Sequence, residues 1–344
     1  MTVISEADLQ GLAADLLAAG STVWGPARVP GTSRPGVEYR PLREAAELDL
    51  NAGLPLLPLK RVFLPPTEPL FWWERTAAEV RLVPPAPPSG RVVVIGARPC
   101  DAAGADAMDR VMGWGCRDEL WFARREAATL VTVACERPAD EACFCAEVGL
   151  GPSHPRGSDL LLVARPGGYA VEEITEKGRA LVAAYPHRFR EDERATLDEL
   201  TAAEGPARID LAAVQRWLSD HFDDETWNEI ALRCHGCGAC ASVCPACHCF
   251  DIVDEPDSLL AGTRRRNWDS CQASRFTVHA SGHNPREGQH ARVRQRVMHK
   301  FQVFPKRFGR VLCTGCGRCT RACPAGQDLF ETLTLVSARA LETP

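Results

Sequence analysis

Cys234-His235-Gly236-Cys237-Gly238-Ala239-Cys240-Ala241-Ser242-Val243-Cys244-Pro245 is the stretch on which the reading of this chain turns. Three thiolates at steps of three residues curl around one [4Fe–4S] cubane, and a fourth, turned outward by its proline, reaches a neighbouring cluster. The same pattern returns as Cys313-x2-Cys316-x2-Cys319-x3-Cys323-Pro324. Cys234, Cys237, Cys240 and Cys323 are therefore expected to hold one cluster, and Cys244, Cys313, Cys316 and Cys319 a second. Gly236, Gly238, Gly315 and Gly317 let the backbone approach inorganic sulfide closely. Structural zinc is the competing reading, but it takes two pairs of ligands and has no use for a third step and a Cys-Pro, twice over. Between Cys244 and Cys313 lie 68 residues. That insert is expected to loop out and keep the exchange of ligands; the alternative is that each run serves its own cluster.

A second group of thiols lies upstream. Arg91-Val92-Val93-Val94-Ile95-Gly96 reads as a strand, a helix through Ala105, Met108, Val111 and Met112 follows, and Thr129-Leu130-Val131-Thr132-Val133 is the next strand. Strand, helix, strand implies a parallel pair with a right-handed crossover. Cys100 and Cys135 each follow one of these strands, so both emerge at the carboxyl edge, where ligands gather in such sheets. Cys143-Phe144-Cys145 comes eight residues after Cys135. Cys100, Cys135, Cys143 and Cys145 are thus candidates for a third [4Fe–4S] cluster, against the alternative that they pack as small hydrophobes. Cys247, His248 and Cys249, with Cys271, read as thiols that tune or pack beside a cluster, and as extra ligands in the alternative. His235 is expected on the solvent side of the first run, and Cys116 is assigned nothing.

Working outward, the fold class is an α/β N-terminal domain with a partly parallel sheet, then a helical segment, then a C-terminal two-cluster ferredoxin-like α+β module. Residues 1–90 read as an irregular, wrapping region. A capped helix (Ser5-x-x-Asp8, with Leu9, Leu12, Ala13, Leu16 and Leu17 on one face) opens it, and short strands such as Val62-Phe63-Leu64 lie within it. Pro84 to Gly90 is a stiff connector. Residues 91–174 form the α/β domain, ending in a hairpin of Leu160–Ala164 and Tyr169–Val171. Residues 175–233 are mostly helical, with Leu211, Val214 and Leu218 on one face. Residues 234–344 form the cluster module, with the insert at 250–310; eleven of the 16 cysteines fall there.

Composition excludes several classes. The formal charge of −5 argues against a general nucleic-acid binder. No run approaches the ~18 apolar residues of a membrane span. Met1 to Ala27 carries no Lys or Arg, and Glu6, Asp8 and Asp15 interrupt its apolar residues, so a cytoplasmic location is expected, where clustered cysteines bind metal rather than pair. Between Ala261 and Arg310 twelve Lys or Arg face two acids, Asp269 and Glu287. Arg292, Arg296 and Lys300 form a stripe there at helical spacing. It reads as a solvated face, a docking surface for an acidic partner, or electrostatic support for anionic clusters. No glycine fingerprint for a dinucleotide, no phosphate loop and no nucleophile elbow occurs, so no flavin or nicotinamide site is expected on this chain.

Leu57 to Leu70, Gly96-Ala97-Arg98-Pro99-Cys100-Asp101, Cys143-Phe144-Cys145 and Cys244-Pro245-Ala246-Cys247-His248-Cys249-Phe250-Asp251 occur in that order. Trp268-Asp269-Ser270-Cys271, Asn284-Pro285-Arg286, Arg296-Val297-Met298-His299-Lys300-Phe301 and the second run complete the pattern. Together they resemble the iron–sulfur beta subunit of cytoplasmic NiFe sulfhydrogenases, and the iron–sulfur subunit of the anaerobic sulfite reductase is similar to the same pattern. The resemblance implies a non-catalytic electron-relay subunit of an oxidoreductase complex. A flavin- and NAD(P)-binding reductase subunit would be one partner and NiFe hydrogenase subunits the other, or a sirohaem sulfite reductase subunit in the alternative. No nucleic acid or membrane partner is implied. A standalone reductase acting at the upstream cysteine site is the reading from another class.

Overall fold

The computed structural model describes residues 1–29, 36–86, 90–192 and 208–342. Pro87, Pro88 and Ser89 of the expected connector, and residues 193–207 of the expected helical segment, lie outside the described residues.

Twelve strands occur among the described residues. They are β1 (Thr2–Ser5), β2 (Thr22–Arg28), β3 (Val37–Pro41), β4 (Thr67–Arg75), β5 (Val80–Val83), β6 (Val92–Ala97), β7 (Ala128–Val133), β8 (Leu160–Arg165), β9 (Gly168–Glu173), β10 (Arg190–Glu191), β11 (Phe250–Pro256) and β12 (Ala261–Trp268). Eight of them form one sheet in the order β10-β1-β9-β8-β7-β6-β2-β3. Its centre, β2, β6, β7 and β8, is parallel, and its flanks are antiparallel. The β-branched runs of β6 and β7 are buried but for Val92 at the start of β6, as strands covered on both faces must be. Ser5 caps the helix Glu6–Ala18 by accepting from the Asp8 amide at 3.0 Å, and Leu9, Leu12, Ala13 and Leu16 pack on the sheet.

Two expectations for the N-terminal region are corrected. Residues 1–90 do not merely wrap: they supply β1, β2 and β3 to the main sheet, with β2 an internal strand whose Val23 and Ala27 are fully buried. The run Val62-Phe63-Leu64 is no strand, because Lys60–Phe63 forms a helical turn. The Asp101 carboxylate accepts from the Leu59 amide at 3.2 Å and fixes the start of that turn. A polar tether from another element, absent from any local pattern, decides the conformation.

The insert does not hang free either. Its hairpin β11–β12 joins a second sheet, ordered β11-β12-β4-β5, and so ties the cysteine module to the N-terminal region. Arg266 of β12 is buried between Glu68 of β4 and Asp118, and Arg124 reaches Glu68 at 2.7 Å. Farther along, the helix Gln289–Met298 runs into a π-helical turn, His299–Val303, and then into Phe304–Phe308. Pro305 lacks the N–H that the regular ladder needs, which accounts for the widened turn before it. The carbonyl of Lys300 accepts from the Leu312 amide at 2.9 Å, one residue before Cys313. The helices Leu211–Asp220 and Leu329–Glu342 close the core against which Cys145, Cys234 and Cys319 pack.

Candidate metal centres

Gly238 and Gly317 adopt left-handed backbone, φ 76° and 68°, and start two equivalent four-residue helices, Ala239–Ser242 and Arg318–Arg321. Each run therefore turns back on itself in the same way, as its repeated spacing requires. Cys234, Cys237 and Cys240 line a single cavity together with Cys319, Cys323 and Pro324 from the other run. Cys323, distant in sequence, thus sits with the first three thiols. Cys313, buried to 9% exposure, lies within range of the charges of Cys319 and Cys244, and Cys316 within range of that of Cys244. The first set of four expected from the sequence thus lines one cavity despite the long insert, whereas the second is linked only through pairs of its members, and no three such side chains among the described residues converge closely enough to hold a single metal ion. Cys237 is exposed, and so is His235 beside it.

The upstream thiols gather less evenly. Cys100 opens the helix Pro99–Met112 at the end of β6, and Cys135 follows β7, so both stand at the carboxyl edge. Arg98 spans the two strand ends, donating to the carbonyls of Leu50 at 3.1 Å and Ala134 at 3.5 Å. Cys145 faces Cys135 and Cys143, while Cys100 faces Cys316 of the second run. The Phe144 amide donates to the Gly315 carbonyl at 2.7 Å. A Cβ on Gly315 would stand 2.5 Å from the Cys145 backbone, so this glycine, at φ 62°, is required by the approach of another segment of chain. That is a different reason from the approach to sulfide expected of it.

Electrostatics sharpens the picture. Burial pushes the thiol of Cys135 up, that of Cys145 up to about 11 and that of Cys313 up to about 12. Such thiols become thiolates when a bound cation takes the proton's place, which is the chemistry of an iron ligand. Four cations stand among them. Lys300 donates to Cys244 Sγ at 3.3 Å, and Lys60 donates to the carbonyls of Ala241 and Cys247, each at 3.0 Å. Arg318, fully buried, donates to Asp101 at 2.7 Å, to the Pro55 carbonyl at 2.8 Å and to Cys100 Sγ at 3.6 Å. Arg296 places its Nε and Nη2 in buried positions facing Cys240 and Cys319. The stripe Arg292, Arg296, Lys300 is therefore neither a solvated face nor a docking surface: Arg296 and Lys300 turn inward to the thiols, and Arg292, also buried, donates to the carbonyls of Arg286 and Glu287. Lys60, Asp101, Arg318 and Gln289, whose Nε2 lies 3.2 Å from Cys234 Sγ, escaped the sequence reading. A lone lysine in the apolar run Leu57-Pro58-Leu59-Lys60 was the one signal available.

Cys249 and Cys271 face each other, and Cys247 faces Cys244; Cys247 and Cys249 also line a cavity of about 220 Å³ with Lys60 and Asp269. Cys116 is exposed and apart. His248 meets His299 edge to face at 5.3 Å, and burial brings the imidazoles down to about 4 and about 3. Both rings are neutral at pH 7, whereas the unfolded chain takes up protons below about 6.5. Stability is thus complete above that pH and falls as pH drops from about 6.5 toward 4, by on the order of 3 kcal/mol for His248. Replacing His299 by Gln should flatten the fall of the urea midpoint between pH 7 and 5. An unchanged slope would assign acid sensitivity to other groups.

Residues 233–327 match the sequence model of the 4Fe-4S dicluster domain family, and they hold both runs. The chain is similar to the protein named Sulfhydrogenase 2 subunit beta from Pyrococcus furiosus, with 29% identity over 317 residues, covering 90% of this chain and 91% of that relative. The resemblance drawn from the motifs is borne out. No helix among the described residues is long and apolar enough to cross a membrane.

Proposed function

We propose that this chain is the electron-relay subunit of a cytoplasmic hydrogenase complex, holding [4Fe–4S] clusters between a flavin- and NAD(P)-binding reductase partner and a NiFe catalytic module. The observation that carries the reading is the interleaving of the two runs, with Cys323 beside Cys234, Cys237 and Cys240 while Cys244 lies with Cys313 and Cys316. Ligands exchanged in this way put two clusters within one rigid body. A fully ligated cubane takes up one electron at a time with little change in shape. The protein's part is to hold the thiols in place, keep water from Cys313 and offset the negative charge with Lys300 and Arg318. Exposed Cys237 marks the first cluster as the place where electrons cross to a partner, and buried Cys313 marks the second as internal.

Cys100, Cys135, Cys143 and Cys145 are proposed to hold a third cluster against the second run. Cys135→Ser should remove about four irons per chain while the two other clusters keep their spectra. Unchanged iron content would dispose of this third site.

The complex itself is tested by anaerobic affinity purification from the native host, with nickel, iron and flavin analysis of what co-purifies. Stoichiometric nickel together with a flavoprotein supports the relay. Sirohaem bands without nickel would overturn the hydrogenase assignment and place the chain in a sulfite reductase.

A further inference from the structure

Among the cations that surround the thiols, Arg296 stands apart. Lys60 is held by two carbonyls, and Arg318 by a carboxylate and a carbonyl. Lys300 approaches the sulfur of Cys244. Arg296 has none of these. Its Nε and Nη2 are buried, and no acceptor bonds them among the described residues. No carboxylate pairs with it there either. Yet it borders the cavity that Cys240 of the first run shares with Cys319 of the second, and of its charge interactions those with these two thiols are the strongest. A buried guanidinium left without acceptors is costly, so the fold must offer it some.

We propose that Arg296 is the cation shared by the two clusters, donating its buried N–H groups to sulfur on both and so coupling their reduction equilibria. The proposal rests on the ligand sets given above. A cubane bound by four thiolates is anionic and gains a further negative charge on reduction. A fixed positive charge with N–H donors aimed at its sulfurs favours that reduced state. Lying between two clusters, one guanidinium favours reduction of both and screens each from the charge of the other.

The test is an EPR-monitored redox titration of the anaerobically purified full-length chain, with iron counted in the same samples. Arg296→Gln should make both clusters harder to reduce, each by tenfold or more in its reduction equilibrium, which is about 59 mV for one electron. Iron content should stay at the wild-type level. Arg296→Lys keeps the charge but loses the planar fork, and should shift both in the same direction by less. Full iron with unmoved potentials overturns the proposal, and a shift in one cluster alone overturns the sharing. Should the Gln variant lose iron, the Lys variant decides by the same criterion. A wild-type chain carrying too little iron for two clusters would instead overturn the ligand sets, a failure separable from that of Arg296.

Discussion

Replacing Cys323 by Ser is expected to extinguish the cluster of the first cysteine run, although Cys323 belongs to the second. Cys323 lines the same cavity as Cys234, Cys237 and Cys240. Its backbone is set by the turn after the helix Arg318–Arg321, where the Gln327 amide points at Cys323 Sγ from 3.2 Å. The variant should lose about four irons per chain and one set of reduced-state EPR signals, with the other set intact. Cys244→Ser should do the reverse, since Cys244 lies within charge range of Cys313 and Cys316 and receives the Lys300 ammonium at 3.3 Å. The signals lost in the two variants must therefore be complementary. If Cys323→Ser instead removed the cluster held by Cys313, Cys316 and Cys319, each run would serve itself, and the interleaving would lose its meaning for electron transfer.

The reach of the sequence differs between these parts for physical reasons. Thiol spacing is a local property, and the turns at Gly238 and Gly317 follow from it. The eight candidate ligand positions were therefore legible without any tertiary information. The β-branched runs of β6 and β7 were legible in the same way. What escaped was set by partners far away in the chain. Strand β2 is marked in sequence only by Thr22-Val23-Trp24, and it becomes internal because β6 pairs with it on one side and β3 on the other. The insert joins a sheet through β4, some 190 residues earlier, which no periodicity within it announces. The basic stripe was visible, but helix spacing gives the face and not the neighbour. Only the packed structure shows that Arg296 and Lys300 turn toward sulfur.

The same limit applies to the Asp101–Arg318 pair, for which the largest stability effect is expected. Arg318 lies inside the second run, between Cys316 and Cys319, where the cysteine spacing says nothing of its partner. Both side chains are wholly buried, and their 2.7 Å bond joins the helix after β6 to the cluster module. Asp101 also accepts from the Tyr39 hydroxyl at 3.0 Å and from the Leu59 amide at 3.2 Å, so one carboxylate gathers three elements. Burial, and then the charge of Asp101, push the Tyr39 phenol well up, which keeps it a neutral donor. Asp101→Ala would leave the Arg318 guanidinium buried with only the Pro55 carbonyl and sulfur for company. Removing one member of a buried ion pair costs about 3–5 kcal/mol, far more than the net contribution of the pair against an apolar substitute. The urea midpoint of the iron-loaded protein should fall accordingly, and the double variant Asp101→Ala, Arg318→Met should recover much of that loss. A single-variant loss below about 1 kcal/mol would mean that sulfur, and not Asp101, is the counter-charge of Arg318. The double variant would then be less stable than the single one, and that ordering is the outcome that separates the two accounts.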